Sequence, residues 1–118
     1  MKLLRTKESL IFEKLFPDEY KAFGCGPGGI GDWFVPDTMW GLSVKKACQQ
    51  HDHDYRFGSG SSDEHRKQCD DRMKLNMLAI VNKKSKSKTL KALRHVRVNT
   101  YYFMVRWRGG SSYWGERK

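Results

Sequence analysis

Apolar positions set out most of this chain before any chemistry is considered. Residues 8–16 place Ile11, Phe12, Leu15 and Phe16 at helical spacing, and Pro17 closes the pattern. From Gly24 to Gly41 no period survives; six glycines and two prolines mark a loop. A loop this long in a compact domain often carries function. Helical spacing resumes near Leu42 or Ser43 and runs to about Arg56, ended by the turn Phe57-Gly58-Ser59-Gly60-Ser61-Ser62. Ser62 is placed to cap the next helix, from Asp63 to about Val81. Residues 82–88 are polar and basic, and 89–107 read as helix again, with Leu90, Leu93, Val96 or Arg97, Thr100, Tyr101, Met104 and Trp107 near one face. The expected fold class is all-α. Two central helices joined by a short connection run antiparallel, with further helices at the N- and C-terminal ends.

The apolar faces are interrupted in informative places. Val44, Cys48, His51 and Tyr55 fall at i, i+4, i+7 and i+11, so His51 points inward beside Tyr55, with Asp52 next to that face. The run His51-Asp52-His53-Asp54-Tyr55 is costly to half-bury without a purpose. On the second central helix Asp70, Met73, Met77 and Ile80 share a face, which puts a carboxylate on an apolar stripe. A facing imidazole and a Tyr hydroxyl would satisfy it, and would fix the His51 tautomer for base catalysis. Asp71 shares a face with Leu75 and Leu78, so spacing only weakly prefers Asp70 over Asp71 as the partner of His51. Both also suit a helix N-terminus, where the dipole favours anions.

The loop Gly24-Cys25-Gly26-Pro27-Gly28-Gly29-Ile30-Gly31-Asp32 is dense enough in glycine to let carbonyl oxygens converge. Calcium takes roughly six to eight oxygen ligands, carbonyls and carboxylates among them, so this loop with Asp52 makes a sensible calcium cage. The Lys-Ser/Thr ending of a phosphate-binding loop is absent.

Together these residues resemble the phospholipase A2 superfamily. Phe23 to Gly31 is similar to its Y-G-C-x-C-G-x-G-G-x-G calcium loop, and Cys48-Gln49-Gln50-His51-Asp52-His53-Asp54-Tyr55 to its C-x-x-H-D-x-x-Y helix. Cys69-Asp70 matches its Asp on the antiparallel helix, and the resemblance covers residues 23–80. It implies a calcium-dependent hydrolase cleaving the sn-2 ester of glycerophospholipids. Gly24, Gly26 and Gly28 would offer carbonyls to Ca2+, and Asp52 a carboxylate. His51 would activate a water, Asp70 would orient His51, Tyr55 would support Asp70, and the Gly26 N–H would hold the oxyanion. The resemblance further implies a Cys25–Cys48 disulfide. Asp54 stands where the family has a second cysteine on this helix, leaving Cys69 without its usual partner. The segment between Gly31 and His51 is longer than in the secreted enzymes, and residues 32–41 are expected to shape the substrate channel. Such a disulfide-poor pattern is more similar to viral and bacterial members.

Composition and charge refine this picture. The 118 residues suit one domain, 1–118, and 38% hydrophobic against 31% charged residues is a globular balance. No apolar run approaches the roughly 18 residues that would cross a bilayer, and Met1-Lys2-Leu3-Leu4-Arg5 lacks a signal-peptide core. A soluble protein is expected, with its compartment left open between a virion-like particle and a cytoplasm with non-classical release. Three cysteines permit at most one bridge. The net charge of +10 sits wholly in residues 82–118, where eleven Lys/Arg meet Glu116 alone. Such a segment seeks an anionic partner. With Tyr101, Tyr102, Phe103, Trp107, Tyr113 and Trp114 it suits an anionic phospholipid membrane surface. The alternative is a non-catalytic protein binding membranes or nucleic acid, with Lys83, Lys84, Lys86 and Lys88 on phosphates. A different metal-dependent hydrolase built on His51 to Asp54 is disfavoured, because His51 and His53 point about 200° apart on a helix.

Overall fold

The computed structural model describes residues 3–23, 38–39, 42–58, 60–108 and 110–115. They form α1 (Lys7–Leu15), α2 (Pro17–Ala22), β1 (Thr38–Met39), β2 (Leu42–Ser43), α3 (Lys45–Phe57), α4 (Asp63–Lys84), α5 (Lys88–Arg108) and α6 (Gly110–Gly115). The class is all-α, with two short antiparallel strands pairing Thr38 with Ser43 and Met39 with Leu42.

Local chemistry sets most boundaries. Thr6 caps α1 by accepting the Ser9 N–H at 3.2 Å, and Glu8 lies in the positive first turn. Pro17 ends α1 but opens α2, where its missing N–H removes only a donor the helix leaves unused. Leu42 and Ser43 are drawn into the strand pair, so α3 starts at Lys45, later than its apolar period suggests. Ser62 caps α4 through the His65 N–H at 3.0 Å, and Asp63 and Glu64 fill the first turn. α4 runs three residues past Val81 and ends on Lys83 and Lys84, cations that suit a helix C-terminus. A Cβ at Gly60 would lie 2.2 Å from the His65 ring, so this connection packs closely only with glycine there.

α4 is the central helix, packed between α3 and α5. Val44, Ala47 and Cys48 from the start of α3 meet Met77, Ile80 and Val81 from the end of α4, and Tyr55 meets Cys69 near its beginning. The two helices are therefore antiparallel. Val98, Tyr101 and Val105 of α5 close the core from the other side.

Two expected faces are corrected. On α1, Ile11, Leu15 and Phe16 are exposed, Phe12 packs with its ring 5.6 Å from Phe23 and 5.0 Å from Phe57, and the buried residue is Ser9. Polar contact seats this helix: Ser9 Oγ donates to Gln50 Oε1, and Gln50 Nε2 donates to Thr6 Oγ1 at 3.1 Å. On α5 the core face is Arg94, Val98, Tyr101 and Val105, while Leu93, Val96, Thr100 and Trp107 face outward. The helix carries apolar residues on two opposite sides, so its period could not say which one packs.

His53 shows one cost of this packing. It is buried, with its ring centroid 5.2 Å from Phe12, 5.8 Å from Phe57 and 6.4 Å from Phe23. Its Nδ1 has no hydrogen-bond partner among the described residues. Burial, only partly offset by the nearby Asp54 charge, holds its pKa below 6.5. The unfolded chain then binds the proton first, so stability is intact above about pH 6.5 and declines as pH falls toward the folded value. We expect His53→Leu to flatten this decline. Urea midpoints at pH 7 and pH 5 check it, and an unchanged difference between the two would remove His53 as the cause.

Candidate active site

The polar run on α3 divides between two jobs. Asp54 is buried and structural: it accepts Arg72 Nη1 at 2.7 Å and Gln50 Nε2 at 2.9 Å, tying α3 to α4 and, through Gln50, to α1. His51 and Tyr55 lie a turn apart, with ring centroids 4.3 Å from each other, and both reach Asp70 on α4.

Asp70 is fully buried, and its donors are shared between its two oxygens. Oδ1 receives His51 Nε2 at 2.7 Å and the Tyr55 hydroxyl at 2.6 Å. Oδ2 receives Arg106 Nη1 at 2.8 Å, and Arg66 Nη1 stands 3.8 Å away. Burial alone would raise the Asp70 pKa. Hydrogen bonds and charge from His51, with the bonds from Tyr55 and Arg106, more than offset it, and the net direction is down. Asp70 is therefore an ionised acceptor. The Tyr55 hydroxyl is pushed far above its ordinary value, first by burial and then by the Asp70 charge, so it stays a proton donor.

An ionised Asp70 on Nε2 fixes the imidazole. Facing a carboxylate, Nε2 is the donor, so in the neutral imidazole the lone pair falls on Nδ1. A buried, oriented histidine with one basic nitrogen and a carboxylate behind it can take a proton and stabilise the resulting imidazolium.

Spacing only weakly prefers Asp70 over Asp71; packing separates them. Asp71 turns to the surface, where it accepts Lys67 Nζ at 2.7 Å and the Tyr102 hydroxyl at 2.5 Å. The two arginines on Asp70 were not foreseen. Arg66 precedes Asp70 by four residues on the same helix, a spacing that could have flagged it. Arg106 is 36 residues away and only tertiary packing brings it in.

Asp52 lies one step round α3 from His51, largely shielded from solvent. Its Oδ1 accepts Arg56 Nε at 2.9 Å. A carboxylate at this position fits the oxygen-only chemistry of calcium. Among the described residues no group of three His, Cys, Asp or Glu side chains could hold a metal by itself. Gly24, Gly26 and Gly28, the expected carbonyl ligands, lie outside the described residues. His51 and His53 diverge, one onto Asp70 and the other into its aromatic cage, and do not share an ion. Cys48 is disulfide-bonded, and Cys25, its expected partner, lies outside the described residues. Cys69 is buried, its sulfur 3.8 Å from the His65 ring nitrogens.

A cleft of about 940 Å³ is lined by Leu3, Leu4, Leu10, Tyr20, Lys46 and Gln49 among others. It opens on the side of α3 away from His51, so its volume is no guide to the chemistry. Comparison with protein-family models, with curated proteins and with solved structures returned no match for this chain.

Proposed function

We propose that this protein is a calcium-dependent phospholipase A2, with its two antiparallel central helices arranged as in that superfamily. What carries the reading is the buried His51–Asp70–Tyr55 constellation, in which Nδ1 of His51 is the one basic atom left for chemistry. By the sequence resemblance, the glycine loop and Asp52 would lie beside it.

In the proposed reaction His51 Nδ1 removes a proton from a water as that water attacks the sn-2 carbonyl carbon. Asp70 holds the imidazole in place and stabilises the imidazolium, and Tyr55 donates to Asp70 throughout. As the tetrahedral intermediate collapses, the bond to the glycerol oxygen breaks and His51 returns its proton to that oxygen. The products are a fatty acid and a lysophospholipid. The Gly26 N–H, carried over from the resemblance, would donate to the oxyanion. Gly24, Gly26, Gly28 and Asp52 would hold calcium, which when bound supplies positive charge against the carbonyl oxygen.

The test is release of labelled fatty acid from vesicles whose phospholipid carries distinguishable sn-1 and sn-2 chains. Release of the sn-2 chain alone is expected with calcium, and none with chelator. Asp52→Asn should demand far more calcium for the same rate, because a neutral amide replaces the carboxylate ligand. Folded protein that releases neither chain at any calcium concentration would overturn the proposal.

A further inference from the structure

The outward side of α5 is the most apolar exposed feature of the basic segment. Val98, Tyr101 and Val105 enter the core. On the opposite side Leu93, Val96, Phe103 and Trp107 show 40%, 65%, 66% and 65% of their surface to solvent. With Thr100 they sit at i, i+3, i+7, i+10 and i+14, a strip about 21 Å long at 1.5 Å per residue. Exposed apolar residues scattered singly need no explanation, but a continuous strip marks a contact surface. At about 100° per residue, Arg97 borders it on one side and Lys88 and Arg106 on the other.

We propose that this face of α5 is the surface by which the protein docks on an anionic phospholipid bilayer. The inference deepens the phospholipase reading, and rests on it, by naming where the enzyme meets its substrate. An apolar strip with Phe and Trp at one end and basic flanks matches a helix lying in the plane of a lipid interface. Long basic side chains reach up to the headgroups while the strip enters the acyl boundary.

Charge decides among occupants. A second copy of the chain would bring together two segments that each carry eleven Lys/Arg against one Glu, an arrangement that repels. A polynucleotide would find its basic contacts at the rim and an apolar strip at the centre. The other exposed apolar patch, around Leu10, Ile11, Leu15 and Phe16, has no such pull. Residues 1–23 hold five Lys/Arg and four Asp/Glu. Arg106 lies with Phe103 and Trp107 along a groove of about 410 Å³ and bonds Asp70.

The test compares the parent chain with Phe103→Ser/Trp107→Ser, both residues being exposed and outside the core. Binding is measured by co-sedimentation with anionic and with zwitterionic vesicles, in a His51→Gln background without calcium, so that no turnover is involved. We expect parental binding to need anionic lipid and to weaken with salt, and the double variant to bind at least about tenfold more weakly. In the background with His51 intact, hydrolysis of a monomerically dispersed short-chain phospholipid should be unchanged by the two substitutions. Vesicle binding unaffected by them would overturn the docking surface. So would a dimer in sedimentation velocity that dissociates on substitution, or polynucleotide binding that depends on Phe103 and Trp107. Absence of hydrolysis of the dispersed substrate by the parent would sink the phospholipase reading alone, because the docking arm does not use it.

Discussion

Replacing His51 with Gln should lower kcat/KM for phospholipid by between about 10²- and 10⁴-fold, the usual contribution of a positioned general base. This corresponds to roughly 3–5.5 kcal/mol of transition-state stabilisation. Gln suits the test because its amide can still donate to Asp70 Oδ1, the oxygen that now receives His51 Nε2. The buried carboxylate keeps a donor, so the fold should survive while the basic nitrogen is lost. A lowered kcat with little change in KM would identify an interaction made chiefly in the transition state. The measurement is initial rate against substrate concentration at saturating calcium, with thermal unfolding as the folding control. A variant within about threefold of the parent rate would remove His51 from the reaction, since no general-base role is worth so little.

That the dyad sits on α3 and α4 was legible because both helices announce themselves. Their apolar residues keep one period, Ser62 supplies a cap, and the five residues between them leave room only for an antiparallel return. His51 and Tyr55 follow from their spacing on one face. Which of Asp70 and Asp71 they meet did not follow. Each carboxylate begins an apolar series, and a rotation of about 100° between neighbours is smaller than the freedom left before helices dock. The same limit explains α5. Its strip Leu93, Val96, Phe103, Trp107 is as regular as its core face, and only contact with α4 chose between them. α1 was legible only in part: Phe12 packs on Phe23, His53 and Phe57, but the polar set Thr6, Ser9 and Gln50 also holds the helix, and no hydrophobic pattern reveals it. Leu42 and Ser43 were read into the helix because strand pairing depends on the neighbouring chain as well as on their own periodicity.

The polar run on α3 carries a related lesson. Read as a string, His51 to Tyr55 looks like five residues at one site. In space it is a histidine and a tyrosine that both meet Asp70, a structural carboxylate on Arg72, a histidine in an aromatic cage, and Asp52 on Arg56. Successive helical residues point about 100° apart, so a run of titratable groups is divided among several environments. A cluster in sequence becomes a cluster in space only where a second element, here Asp70 of α4, collects it.

Asp70→Ala should therefore unfold the protein more readily than any surface change, by about 3 kcal/mol and up to about 5. The deletion takes the counter-charge from Arg66 and Arg106 and the acceptor from His51 and Tyr55. The lower figure is favoured because Arg106 is 28% exposed and can turn to water, whereas Arg66 is 12% exposed and is held at the α5 terminus through the Val105 and Arg106 carbonyls. Either figure is a large share of the roughly 5–15 kcal/mol that keeps a domain folded. Adding Arg106→Ala should cost less on this background than in the parent, a coupling that a double-mutant cycle in urea would read directly. Acid gives an independent check. The folded Asp70 pKa lies below its ordinary value, so its contribution is present above about pH 3.9 and is lost as pH falls through the folded value. The parent should lose this stability in acid, and Asp70→Ala should have none of it left to lose. A variant less than about 1 kcal/mol weaker than the parent at neutral pH would mean that the arginines reach solvent at almost no cost. Asp70 would then orient His51 without holding the helices together.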